Sequence, residues 1–285
     1  MLVRIPETQY LKISGIDTRV KFYGKNILKT YRVEKISIIS LIYQSVEYAE
    51  FVYNSVMKYT PEIQSGEAEF YFVTNDATKE LLDFLVEKKY PHFVNNNSKQ
   101  TEEELFRKGF AYPEYITRVY QGYNFGIKQS NNPIITLINS DMSFSPDWLI
   151  NLKKRLTREV AVSPKIIQPG HVFRNPINGS FCESYEFGRT IGTFDEVAFL
   201  NKAKEIKIDC VSIGNAFMPV MLYKENIEKV GYYPEGNLNQ GAYHRILRTG
   251  DTEFFTKLSS NGVKHINSND SIVYHFNEGE KDNKV

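Results

Sequence analysis

"IITLINSDMSF", residues 134–144, decides the fold. Ile134 to Ile138 is apolar apart from Thr136, and the run does not alternate. That is the pattern of a strand covered on both faces in a parallel sheet. It stops abruptly at Asn139-Ser140-Asp141. Open α/β sheets bind ligands beyond the carboxyl ends of their strands, so a carboxylate at such a tip points into a crevice rather than the core.

The flanks carry the same pattern. "KISIISLIY" is apolar on both parities from Ile36 to Ile42, and Ser45 then suits the N-cap of a helix with Ala49, Val52 and Val56 on one stripe. "EFYFVTND" (69–76) reads as a second strand. It leads into a helix with Leu81, Leu82 and Leu85 inward and Lys88 and Lys89 at its end, where cations suit the dipole. "PHFVNNN" (91–97) is a weaker strand, and Glu102-Glu103-Glu104 reads as a solvated face. In "PEYITRVYQGYNFGI", Ile116, Val119, Tyr120 and Tyr123 recur at helical spacing. After the central strand, Ser145-Pro146 suits a helix start, with Leu149, Leu152 and Leu156 buried. Strand and helix thus alternate over 35–156, which predicts an α/β fold with a mostly parallel central sheet and helices on both faces.

The flanking regions are less regular. Residues 1–34 read as an irregular extension or a short hairpin. "VSPKII" (162–167) is a short strand, and 168–209 shows no sustained periodicity. "VSIGNAFMPVMLYKENIEKVGYYPEG" gives a strand, a short helix and a stop at Gly231. A mixed loop spans 232–250, and "DTEFFTKLSSNG" is a helix with Phe254, Phe255 and Leu258 inward. "SIVYHF" (271–276) is the last strand, with a polar tail from 277.

The totals exclude several classes. With 285 residues the chain can bury a full core. The 35 basic and 34 acidic residues leave a net charge of +1, so no basic patch argues for nucleic acid or an anionic membrane. No run approaches the ~18 apolar residues of a membrane span. "MLVRIPETQYLKI" has no apolar core long enough for a secretory signal. Cys182 and Cys210 make neither a disulfide framework nor a zinc set and read as incidental, which points to a reducing, cytoplasmic setting. Most of the 19 Tyr and 19 Phe read as core packing. There is no Walker-type loop, strand-linked G-x-G-x-x-G, G-x-S-x-G or H-E-x-x-H. The crevice instead offers Asp141, with Asp251 and His275 downstream. A carboxylate and an imidazole can hold a divalent metal whose coordination a diphosphate completes.

The order of these segments resembles the inverting glycosyltransferases of family 2, which have the GT-A fold. The resemblance covers about residues 35–276. "ISIISLIYQS" is similar to the opening strand with its nucleotide-contacting tyrosine, and "YFVTNDATKELL" to the strand whose tip meets the nucleobase. "YNFGI" (123–127) resembles the N-x-G-I before the metal strand. "LINSDMSFSPDWL" sits where the family has its DXD motif, and "GNAFMPVMLYKENIEKVGYYPE" where it builds the acceptor side. "GDTEFFTKLSSNGVK" is similar to the E-D-x-[DE] helix that carries the catalytic base.

The resemblance implies a transferase that moves a sugar from a nucleotide-diphosphate donor to a carbohydrate or other hydroxyl with inversion. UDP-sugar is the expected donor and GDP-sugar its alternative. The implied organisation is an extension (1–34), a nucleotide-sugar-binding half (35–142) and an acceptor-binding half (143–285) with the catalytic base and a mobile C-terminal tail, within a GT-A fold that has a smaller acceptor-side subdomain. The implied nucleotide-sugar contacts are Ile42, Tyr43, Asn75, Asp76, Asn124, Asn139, Ser140, Asp141 and Asn215. Asp251 is the implied base, with Glu253 its near rival. Asp141 and His275 are the implied ligands of Mn2+ or Mg2+. Asn139 replaces the first aspartate of DXD, which removes a charge and weakens the case for strict metal dependence. Gly250 replaces the glutamate of the E-D pair. Arg245 and Arg248 are further donors to the diphosphate if their loop folds inward.

Plainer readings stand beside these. Asp141 suits an Asx turn, Asp251 the N-cap of its helix, His275 a structural role in a strand, and Tyr43 packing. Arg245 and Arg248 suit solvated loop positions. Two other functions also fit: a nucleotide-sugar-binding protein of the same fold that has lost activity, and a transferase acting on a modified nucleic-acid base. A sugar nucleotidyltransferase would need a Gly- and Arg-rich opening loop that "SLIYQSVEY" lacks.

Overall fold

The computed structural model describes the backbone of residues 9–13, 16–23 and 27–32, and residues 34–170, 182–214 and 218–276. Strands β1 (Gln9–Ile13), β2 (Ile16–Tyr23) and β3 (Ile27–Arg32) form a separate antiparallel sheet where the sequence suggests an extension or hairpin. The elements that follow are β4 (Ile36–Ile42), α1 (Val46–Tyr59), α2 (Pro61–Gln64), β5 (Ala68–Asn75) and α3 (Lys79–Glu87). After them come β6 (His92–Asn95), α4 (Glu102–Arg107), α5 (Glu114–Gln129), β7 (Ile134–Ile138), β8 (Met142–Phe144) and α6 (Trp148–Lys153). The second half contains β9 (Val160–Gln168), β10 (Cys182–Ser184), α7 (Glu196–Ile206), β11 (Val211–Ile213), β12 (Val220–Tyr223) and α8 (Lys224–Lys229). It closes with β13 (Leu238–Asn239), β14 (Ile246–Arg248), α9 (Gly250–Ser260) and β15 (Lys264–His275).

One ten-stranded sheet runs β11-β15-β9-β12-β7-β4-β5-β6, with β10 beside β9 and β8 beside β15. Strands β7, β4, β5 and β6 are mutually parallel, so their carboxyl ends open on one edge. β12 runs antiparallel between β7 and β9, and β9 pairs β15 in parallel. Strands from both sides of residue 142 therefore share one sheet.

Strand alternation sorts the core into two layers. Ile36, Ile38 and Ile42 face the cluster made with Val52 and Val56 of α1, Leu81 and Leu85 of α3, and Trp148 of α6. Ile39 faces the opposite cluster, with Tyr120, Tyr123 and Ile127 of α5 and Phe254 of α9. Each such fully buried side chain contributes about 1.5–3 kcal/mol of transfer free energy, so both layers must be covered. Helix α5 lies close on its face because it carries glycine there. A Cβ at Gly126 would come within 2.7 Å of Val73 Cγ2 and 2.9 Å of Ile39 Cγ2.

Several boundaries differ from the sequence reading, for identifiable reasons. Helix α6 starts at Trp148 rather than at Ser145-Pro146, because the Ser145 hydroxyl donates to Ile272 O (2.8 Å) instead of capping a helix. Asp147, at φ 66°, makes the turn between them. Thr249, not Asp251, caps α9 by accepting from Thr252 N. The 211–223 stretch holds two strands, and two short paired strands punctuate 232–250. Helix α7 lies in a region without visible period: Asp195 caps it, and Phe199 and Ala203 reach a third aromatic cluster.

Candidate functional site

A cavity of about 740 Å³ opens at the carboxyl ends of β4, β5 and β7. Ile42 and Tyr43 line it at the tip of β4, Asn75 at the tip of β5, and Asn139, Ser140 and Asp141 at the tip of β7. His275 reaches it from the end of β15. Seven of the expected nucleotide-sugar and metal residues, spread over more than 230 positions of sequence, thus meet in one hollow.

Strand pairing explains how His275 arrives there. In the antiparallel β8–β15 ladder His275 faces Met142, and Phe276 N donates to Asp141 O at 3.0 Å. This register leaves His275 Nε2 3.3 Å from Asp141 Oδ2. His275 Nδ1 lies 3.4 Å from Gln168 Oε1, so with a cation between His275 and Asp141 an Nδ1–H can bond that oxygen and leave Nε2 as the ligand atom. Two lone-pair donors at that separation suit adjacent positions around one divalent ion, whose bonds to O and N are about 2.0–2.2 Å long. Among the described residues no third His, Cys, Asp or Glu joins them. The pair therefore fits a metal whose other ligands come from substrate and water.

At the opposite end, Asn75 is held rigidly. Its Nδ2 donates to Arg118 O at 3.0 Å, while its Oδ1 accepts from Asn95 Nδ2 (3.1 Å) and from Asn97 Nδ2. Asp76 adopts the left-handed φ of 61°, accepts from Asn97 N at 2.6 Å, and lies outside the cavity lining. It reaches Arg118 Nη1 at 3.4 Å. Arg118, which the motifs did not single out, lines the cavity with its guanidinium 5.3 Å over the Tyr43 ring and Nη1 3.5 Å from the Tyr43 hydroxyl. Its Nε is buried with no hydrogen-bond partner among the described residues. The same helix supplies Tyr115, Ile116, Val119 and Tyr123 to the wall. Its sequence period shows which residues face the sheet, not that its first half overhangs the strand tips.

Tyr123 is where the two ends of the site meet. Its hydroxyl donates to Ile138 O (3.0 Å) and Asn139 Oδ1 (2.8 Å). Burial pushes this phenol well above its ordinary range, and the charges of Asp251 and Asp141 push it further. The charges of both carboxylates thus bear on one hydroxyl, although Asp251 and Glu253 are not among the residues lining the cavity. Burial also pushes the Asp251 carboxyl up to about 6, against a hydrogen bond from Tyr120 that pulls it down. Glu253 sits differently, 2.8 Å from Arg248 and 3.8 Å from Lys257.

The remaining expected residues lie elsewhere. Asn124 is buried and clips Tyr233, donating to its O at 2.8 Å and accepting from its N at 3.0 Å. Asn215 falls outside the described residues. Arg245 and Arg248 are exposed.

No protein-family profile matches the sequence, and no curated protein matches it. Solved structures do. The chain is similar to GalNAc-T7, solved with UDP, GalNAc and Mn2+, at TM-score 0.54 and 14% identity over 85% of this chain and 44% of that one. It is similar to S. aureus TarS 1-349 at TM-score 0.50 and 13% identity, over 85% of this chain and 60% of that one. A second S. aureus TarS structure aligns at the same TM-score and identity, with 36% of its chain covered. The chain thus spans less than two thirds of the length of each of these structures. At these identities the likeness shows the fold, and the fold is the GT-A type. No helix among the described residues is long and apolar enough to cross a membrane.

Proposed function

We propose that this protein is an inverting glycosyltransferase that moves a sugar from a nucleotide-diphosphate donor, most simply a UDP-sugar, to an acceptor hydroxyl. One observation carries the reading: the 740 Å³ hollow at the strand tips has an Asp141–His275 pair at one side and a rigid amide–guanidinium–phenol group at the other. Asn75 and Arg118 offer hydrogen bonds suited to the edge of a pyrimidine, and Tyr43 offers a face for stacking. Asn139, held by Tyr123, presents its amide nitrogen to a ribose hydroxyl.

Asp141 and His275 would hold a divalent ion, Mn2+ or Mg2+, which when bound neutralises charge on the departing diphosphate. Asp251 takes the proton from the acceptor hydroxyl, which attacks the anomeric carbon from the face opposite the nucleotide; the carbon–oxygen bond to the diphosphate breaks as the new one forms. Such a base contributes about 10²–10⁴-fold. Asp251 is preferred to Glu253 because its raised pKa suits proton abstraction near neutrality, whereas Glu253 is committed to Arg248 and Lys257.

The test is nucleotide release from UDP-glucose, UDP-galactose, UDP-N-acetylglucosamine, UDP-N-acetylgalactosamine and GDP-mannose, each with and without manganese. Manganese-dependent release that disappears in Asp141→Ala supports the reading. A melting shift with UDP but no turnover of any donor, with a set of hydroxyl acceptors present, favours a binding protein of this fold.

A further inference from the structure

Position 250 raises a problem that the rest of the site resolves. An ideal Cβ on Gly250 would lie 2.3 Å from Tyr120 Cε2 and 2.7 Å from Cζ, inside the contact distance of any two carbons. The Tyr120 ring therefore fills the space a side chain at 250 would need. The ring is not free to retreat: it stacks on Tyr233 (centroids 5.7 Å apart, 9° between planes), and Tyr233 stacks on Phe254 at 3.9 Å. Gly250 N donates to Asn237 Oδ1 at 3.0 Å, which fixes the start of α9 from below.

The packed ring puts its hydroxyl at the next residue. Asp251 N donates to Tyr120 Oη at 3.2 Å. The same hydroxyl acts on the Asp251 carboxylate, pulling its pKa down while its own is pushed up. Tyr120 thus holds Asp251 at the backbone and acts on its side chain. Resting on the base role proposed above, we infer that Tyr120 is the positioning residue of Asp251, its locked ring and hydroxyl fixing the first turn of α9 from which the carboxylate meets the acceptor hydroxyl.

The groups facing Asp251 are few. Tyr120 and Tyr123 come from α5, Tyr233 from the turn after α8, and Asn237 lies beneath Gly250. Arg248 and Glu253, flanking it in sequence, are paired with each other. Tyr120 is the one of these that accepts the Asp251 N–H and pulls the carboxyl pKa down, so its hydroxyl is the lever on the state of the carboxylate.

The experiment follows the Asp251 carboxyl by NMR with carbon-13-labelled aspartate, its signal assigned by its loss in Asp251→Asn, and in parallel the pH profile of UDP release from UDP-N-acetylglucosamine. Tyr120→Phe keeps the ring and its stacking. The Asp251 titration should move upward by about one unit, and turnover at pH 7 should fall roughly tenfold, about twofold of it from lost ionisation that recovers as pH rises and the rest from lost orientation. UDP affinity should stay within twofold, because Tyr120 does not line the cavity. Replacing Tyr120 with 3-fluorotyrosine, a stronger donor that keeps ring and hydroxyl, should move the titration the other way. An unmoved titration in both variants overturns the inference, as does an equal loss of rate at every pH. The base role fails separately: Asp251→Asn at wild-type rate sinks it, whereas Asp251→Asn inactive with an unchanged Tyr120→Phe profile sinks only the part given to Tyr120.

Discussion

Asp141 and Asp251 are both carboxylates set among protein atoms, and the roles proposed for them follow from different surroundings. Asp141, 4% exposed, faces an imidazole nitrogen and a cavity, a setting for charge neutralisation by a cation. Asp251 faces phenols and a raised pKa, a setting for taking a proton. Asp141→Asn should abolish any manganese-dependent rise in melting temperature with UDP, read by thermal shift. Asp251→Asn should leave that rise intact and cut turnover by about 10²–10⁴-fold. On the proposed base role Asp251 acts in its ionised form, so turnover should rise with pH through about 6 and level off above it. Arg118→Met should raise the UDP dissociation constant by roughly tenfold, the loss of a charged hydrogen bond of about 1.5 kcal/mol, measured by calorimetry. Manganese affinity in the absence of nucleotide should not change.

At the scale of elements, the site depends on how closely α5 presses on the sheet. Gly126→Ala should lower stability by about 1–3 kcal/mol in urea titration, since Val73 and Ile39 are fully buried and cannot yield without repacking. This glycine shows what the sequence could and could not say. "YNFGI" was legible as a stretch resembling a known motif, and the structure gives its asparagine and glycine packing duties: one clips Tyr233, the other admits the helix. Strands β4, β5 and β7 were legible because burial on both faces makes them mostly apolar without alternation. Their polar tips marked the crevice for the same reason. Helix α7 was not legible, because only two of its residues, Phe199 and Ala203, are fully buried, too few to show a period. Arg118 was missed because its role comes from where a helix crosses the strand tips, a long-range fact absent from local spacing. The start of α6 was misplaced because Ser145 bonds a strand 127 residues away.

For the whole molecule, two buried groups oppose each other in acid. Burial holds His265 down to about 4, below its ordinary 6.5, so stability is complete above 6.5 and is lost as pH falls toward 4. Asp251 is raised from 3.8 to about 6, so its penalty is complete above 6 and vanishes as pH falls toward 3.8. Between about 4 and 6 the two slopes have opposite sign. Asp251→Asn should therefore be more stable than the parent at pH 7, by about 1–2 kcal/mol after discounting for its partial exposure, and should lose that advantage by pH 4. Urea titrations at both pH values check this. The same architecture sets an order of assembly. Asp141 follows the central strand, but His275 is nearly the last described residue of the chain, delivered by a strand that must dock beside β8 and β9. A growing polypeptide therefore holds one half of this pair through most of its synthesis, and acquires the other half only when that strand has left the ribosome and found its neighbours.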